Sequence, residues 1–224
     1  MSAYRLHNVE GQWGGFVLRV DDFGLQSGRI YSVTGPNGCG KTSLLRLLAL
    51  LDRPVAGRVH YGGDVVDYDD GAGWLRSRRR IAYLMQQPYL FNMSVYDNIA
   101  YGLHLRHISS AHIRRRVCDV IERLALDPFV RRNAHTLSGG EAQRVALART
   151  LVLDADVMLL DEFTASVDQQ YVQMVEEYVR ELNTECGTTV VFTTHSSNQA
   201  ARMSDHPITI VEGVVTACGG GNRR

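Results

Sequence analysis

Charge of one sign is missing from this sequence: Lys plus Arg and Asp plus Glu each number 24 among 224 residues. No global field therefore recruits nucleic acid or an anionic membrane, although local basic patches remain. Long apolar runs are missing as well. No stretch approaches the roughly 18 consecutive apolar residues of a membrane span, and the N-terminal MSAYRLHNVEGQW lacks the apolar core of a signal peptide. The expectation is a chain that stays in the cytosol. Cysteine is scarce, and Cys39, Cys118, Cys186 and Cys218 form no C-x-x-C pair, which argues against a zinc site or a disulfide framework. They read as reduced thiols. No internal repeat, low-complexity tract or long linker interrupts the sequence.

What is present is apolar material for a sizeable core, at 45% hydrophobic residues in a chain long enough for one large domain or two modest ones. YRLHNVE and FVLRVDDF alternate like strands of an antiparallel region. RIYSVTG then runs apolar into a glycine loop, and TSLLRLLALL continues with helical spacing, giving a strand-loop-helix unit. RVHYGG, RIAYLMQ, DVMLLDE, TTVVFTTH and ITIVEG are further strand candidates, most of the later ones separated by helical segments. That alternation predicts an α/β fold with a mostly parallel sheet covered by helices. From about residue 90 to 135 strands disappear, and Ile113, Val117, Val120, Ile121 and Leu124 recur at helical spacing. This segment reads as a helical insertion beside the sheet, and the arginine clusters at 76–80, 114–116 and 131–132 as solvated faces.

The most specific motif is GPNGCGKTS at 35–43, a match to G-x-x-x-x-G-K-[ST] in the strand-to-helix context it requires. Gly35, Gly38 and Gly40 let the backbone wrap phosphates, Lys41 offers a point charge, and Thr42 is placed to ligate Mg²⁺. The whole loop, with Pro36, Asn37, Cys39 and Ser43, is the candidate nucleotide-binding segment. The apolar strand VMLLDE ends in Asp161 and Glu162, where a parallel sheet points side chains into its ligand crevice. Asp161 would hold the metal, directly or through water, and Glu162 would take the proton of an attacking water. These features specify a P-loop NTPase. LSGGEAQR at 137–144 has two readings of its own: a capping box of Ser138 and Glu141, or a glycine-opened helix N-terminus that accepts a phosphate.

With the phosphate loop and the Asp-Glu strand in the same chain, LSGGEAQR resembles the signature of the ATP-binding-cassette family, and the resemblance covers almost the whole sequence. It implies one nucleotide-binding domain over residues 1–224: a P-loop core, an antiparallel β subdomain and a helical subdomain inserted at about 90–138. It further implies that Trp13 stacks on adenine, that Gln86 in LMQQPYLF reaches Mg²⁺ and water, and that Asp168 in SVD lies in a loop crossing a dimer interface. His195 in TTH resembles the switch histidine at the γ-phosphate. Two copies would pack head to tail, with Ser138, Gly139 and Gly140 completing the ATP site of the opposite copy.

Two residues depart from the pattern or stand out within it. Phe163 stands where the family usually has proline, which leaves the shape of the following TASVD loop and the coupling of hydrolysis to dimerisation open. Cys39 lies beside Lys41 at a helix N-terminus, a setting that can activate a thiol; it is read here as a small residue at a variable position.

A single cassette resembles the separate ATPase subunit of a prokaryotic transporter, held at the cytoplasmic face of the membrane by a permease. Tyr89, Leu90 and Phe91 would receive a coupling helix of that permease, and an extracytoplasmic solute-binding protein would complete an importer. The stretches MQQPYLFNMSVYDNIAYGLHLR and NAHTLSGGEAQRVALARTLVL look similar to ATPases of oxyanion importers, tungstate importers in particular. The alternatives are an exporter or lipoprotein-release ATPase and a division-associated signalling cassette. A nucleic-acid machine usually needs a second cassette or a coiled-coil insertion, so no nucleic acid is expected as a partner.

Overall fold

The structure, a computed structural model, describes residues 2–217, so the thiol expected at Cys218 lies outside the described residues. Two long strands open the chain, β1 (Ser2–Trp13) and β2 (Phe16–Gln26), antiparallel with Trp13 opposite Phe16 across the Gly14–Gly15 turn. β3 (Ile30–Thr34) and α1 (Lys41–Leu48) bracket the glycine loop, after which β4 (Ala56–Tyr61) and β5 (Asp64–Val65) return to the antiparallel side. α2 (Gly71–Arg79) leads into β6 (Ile81–Leu84), and the chain then leaves the sheet for α3 (Val95–Leu105), α4 (Ser110–Arg123) and α5 (Gly139–Leu151). It returns through β7 (Val157–Asp161), α6 (Gln169–Cys186), β8 (Thr189–Thr193), α7 (Ser197–Met203), β9 (His206–Val211) and β10 (Val214–Ala217).

All ten strands join one sheet in the order β5-β4-β1-β2-β10-β9-β3-β8-β7-β6. The five from β9 to β6 are parallel to one another. β7 and β8 are buried at every position, as central parallel strands covered on both faces must be. β1 and β2 instead alternate buried and exposed residues, because much of the outer face of this antiparallel part meets solvent. The fold is the α/β architecture expected, and the strand candidates fall where the sequence places them.

Two apolar cores flank the sheet. One packs α1 between the antiparallel strands and one face of the parallel ones, around Leu44, Leu45, Leu47, Leu48, Leu18 and Val33. The other joins the helical segment to the opposite face, around Val117, Ile121, Val145, Leu147, Leu160 and Phe192. Ile113, Val117, Val120, Ile121 and Leu124 are all buried, as their spacing predicts. Of the arginine clusters, no residue of α2 is buried, and Arg114, Arg115, Arg131 and Arg132 are exposed.

Candidate active site

β3 delivers the chain straight into the glycine loop. Gly35, Gly38 and Gly40 sit at φ of +150°, +75° and +111°, backbone that side-chain-bearing residues rarely adopt. Gly40 must lack a side chain for a second reason: a Cβ there would fall 2.7 Å from the Phe16 ring. Gly40 also caps α1 without any side-chain hydrogen bond, so the first amides of that helix lack a side-chain cap and stay available to an anion. Lys41, the only lysine in the chain, is buried with its Nζ donating to Gly35 O at 2.9 Å and Pro36 O at 3.0 Å. Those two carbonyls satisfy the ammonium inside the loop.

The carboxylates stand beside it. Asp161 ends β7 fully buried, and its Oδ2 accepts the Thr42 hydroxyl at 2.7 Å. Burial, then the Asp161 charge, push the Tyr83 phenol well above its ordinary range, so Tyr83 is a neutral neighbour. At Glu162 the chain turns out of the strand at φ +49°, a conformation that costs a residue with a side chain about 1–3 kcal/mol. The Glu162 side chain is 16% exposed, and its Oε1 lies 2.9 Å from His195 Nε2. Phe163 is fully buried, edge-on to Phe192 at a ring-centroid distance of 5.8 Å. Its ring is anchored in the core at the start of the loop that follows.

These groups open onto a cleft of about 680 Å³ lined by Trp13, Phe16, Asn37, Gly38, Gly40, Lys41, Thr42, Ser43, Gln86, Glu162 and His195. Gln86 lines it and Gln87 does not. Gly35, Pro36, Cys39 and Asp161 are not part of that lining. Cys39 is buried beneath the loop, where a Cβ on Gly35 would fall 2.7 Å from its Sγ, as a small residue tucked inward should be. Trp13 is half-buried: a Cβ on Gly11 would fall 2.5 Å from its ring, and its Nε1 donates to Asp52 Oδ2 at 2.9 Å. Arg46 grips the same carboxylate with both Nε and Nη2 at 2.7 Å. That Arg46 contact first, and the Trp13 bond after it, hold Asp52 below the ordinary carboxylate range.

Ser138, Gly139, Gly140 and Asp168 lie apart from the cleft and contribute nothing to its lining. Ser138 and Glu141 form the capping box that their spacing predicts: Ser138 N donates to Glu141 Oε2 at 2.8 Å, and Glu141 N to Ser138 Oγ at 3.4 Å. The Ser138 N–H chiefly holds the Glu141 carboxyl below its usual range. A Cβ on Gly140 would sit 3.3 Å from both Asp168 carboxylate oxygens, so the two motifs share one exposed corner. Elsewhere, Tyr89 is 64% exposed and Phe91 packs against Tyr101 at 4.5 Å, whereas Leu90 turns into the core. The apolar surface expected of residues 89–91 is therefore built from the two aromatics without Leu90.

Three contributors escaped the sequence reading. Phe16 closes on Gly40, Asp52 pins Trp13, and Thr193 bonds to Asp161. Phe16 and Asp52 belong to no local motif, Thr193 stands in TTH only as a neighbour of His195, and each reaches the site across the fold.

A phosphate loop, a buried strand-end aspartate and a neighbouring glutamate on a parallel sheet define a P-loop nucleotide-hydrolysing protein. A family model described as ABC transporter matches residues 18–165. The chain is 37% identical over 209 residues to the tungstate uptake system ATP-binding protein of Peptoclostridium acidaminophilum, covering 93% of this chain and 94% of that one. It is 38% identical over 228 residues to a nickel import ATP-binding protein of Rhodobacter capsulatus, covering 97% and 89%. Against a sulfate/thiosulfate import ATP-binding protein of Rhizobium meliloti the identity is 34% over 221 residues, 96% of this chain and 59% of that longer one. Among solved structures, a dimeric ATP-binding cassette in a post-hydrolysis state with ADP and phosphate superposes with a TM-score of 0.84 at 27% identity, covering 97% of this chain and all of that one. The chain belongs to the ABC transporter family and is an ATPase domain of that family.

Proposed function

We propose that this chain, as one nucleotide-binding domain over residues 1–224, is the ATP-hydrolysing subunit of an importer, with an oxyanion such as tungstate as cargo. The observation that carries the hydrolytic reading is the single cleft in which Lys41, Thr42, Gln86, Glu162 and His195 face one another. ATP enters as substrate. Its phosphates lie along the loop amides of residues 35–43, with Lys41 exchanging its two carbonyl partners for phosphate oxygens. Trp13 and Phe16 form the aromatic wall against which adenine stacks. The Thr42 hydroxyl and the Asp161 carboxylate, with Gln86 nearby, are oxygen donors of the kind Mg²⁺ takes alongside substrate phosphates. Mg²⁺ bound there would neutralise charge developing on the phosphates. Glu162 accepts the proton of the attacking water, and His195, paired with Glu162 at 2.9 Å, holds that carboxylate toward the γ-phosphate.

Ser138, Gly139, Gly140 and Asp168 have no nucleotide of their own to meet. They complete the site of a second copy packed head to tail, so ATP joins two chains and its hydrolysis releases them. The exposed Tyr89 and the half-buried Phe91 beside it receive a membrane permease, which holds the chain peripherally at the cytoplasmic face. No helix of the described residues is long and apolar enough to cross a membrane, in keeping with a permease made by separate chains. An extracytoplasmic solute-binding protein completes the importer.

The cargo reading rests on relatives named for tungstate, sulfate/thiosulfate and anion import. A relative named for nickel import supports a divalent cation as the second reading. Uptake into vesicles carrying this chain with its permease and solute-binding protein separates them. ATP-dependent accumulation of tungstate is the expected result, and accumulation of nickel with no oxyanion transport would overturn it.

A further inference from the structure

We infer that Thr193 is a positioning residue for ATP hydrolysis, a hydroxyl that fixes the metal-side carboxylate of Asp161 and the backbone of Glu162 as one unit. The inference rests on the roles proposed above for those two acidic residues. Thr193 is the last residue of β8 and the direct register partner of Asp161 on β7. Neighbouring side chains on paired strands share a face, so a hydroxyl here meets the carboxylate. Thr193 is fully buried and is not itself part of the cleft lining.

Its hydroxyl is used in both directions. Oγ1 donates to Asp161 Oδ1 at 2.6 Å and accepts the Glu162 N–H at 2.9 Å. Because Thr42 occupies Asp161 Oδ2, the carboxylate is held between two threonine hydroxyls, one from the phosphate-loop helix and one from β8. Its rotation is thereby restricted from both sides. Glu162 needs the second bond more than an ordinary residue would. It lies one residue past the last register pair of β7 and β8, and a partly buried amide left without a partner is unfavourable. Two residues beyond Thr193, His195 meets the Glu162 carboxylate. The end of β8 and the turn that follows thus hold Glu162 twice, at its amide and at its side chain.

Valine reproduces the shape of threonine without the hydroxyl, and serine keeps the hydroxyl without the methyl. In Thr193→Val the hydrolysis kcat is expected to fall about tenfold to a hundredfold, the usual effect of losing a hydrogen bond to a charged group. Binding of N-methylanthraniloyl-ADP in EDTA is expected to change less than about twofold, since neither bond of Thr193 reaches the nucleotide. The Mn²⁺ concentration that half-saturates the metal-dependent part of that binding is expected to rise, and Thr193→Ser to restore both properties. If Thr193→Val does not fold, Thr193→Cys, a weak donor of similar size, is measured in its place with the same expected split. Hydrolysis within about twofold of the parent in the valine chain, while Glu162→Gln is inactive, would overturn the inference and leave the base assignment intact. Equal loss of metal-free binding and of hydrolysis, with no rescue by serine, would overturn it as a merely structural effect. Full hydrolysis by Glu162→Gln would instead overturn the role given to Glu162, and the inference with it.

Discussion

At the scale of single residues, the Trp13 side of the cleft depends on an ion pair that no motif contains. Asp52 joins Trp13 to Arg46, and its lowered pKa fixes the sign of a pH effect. The stabilisation is present above the unfolded aspartate value, near pH 4, and is lost as pH falls through the lower folded value. Arg46 remains 41% exposed, so solvent screens the pair and its contribution is about 1 kcal/mol. Asp52→Asn is expected to lower the urea midpoint at pH 7, with the gap to the parent closing below about pH 4. A gap that persists unchanged at pH 3 would contradict this. The contiguous phosphate loop was legible because a bound polyphosphate dictates glycine, lysine and threonine at fixed neighbouring positions. Asp52 and Thr193 were not, since their partners lie 39 and 32 residues away and only the closed sheet brings them together. The capping box at Ser138 was legible, and the structure shows it directly; the phosphate-accepting helix end is the other reading that the same residues offer.

Among the elements, α5 carries an anchor that sequence alone reads only as part of a signature. Arg144 is buried, donates to Leu124 O at 3.0 Å and Ala125 O at 3.1 Å beyond the end of α4, and stacks 3.9 Å from the Tyr171 ring of α6. It ties the inserted helices to the element that presents Ser138. Arg144→Met keeps an apolar stem but strands two carbonyls, and should cost about 1–3 kcal/mol in urea unfolding. A loss below about 0.5 kcal/mol would place Arg144 with ordinary surface residues. The parallel strands and α4 were legible because burial on both faces, or on one stripe, imposes a sequence period. α2 escaped: it buries no residue and opens on Gly71-Ala-Gly73, so neither period nor propensity marks it. Asp70, whose side chain accepts the Ala72 N–H, was the available signal. β5 and β10 are short pieces of two and four residues, too brief for a pattern.

For the whole molecule, the decisive feature is that the cleft and the Ser138–Asp168 corner are separate surfaces of one chain. Under the proposed function each is half of an ATP site, and a second copy packed head to tail would supply the other half. Removing the base while keeping the binding groups should trap that pair, because ATP then stays bound across the interface. The direct measurement is the light-scattering mass of Glu162→Gln with and without saturating ATP and Mg²⁺. The account predicts twice the 25.0 kDa chain mass with nucleotide and a single chain without it, the dimer being lost again when Ser138→Arg is added. A mass that stays at one chain with ATP present, or a dimer that forms equally without it, would contradict the shared site.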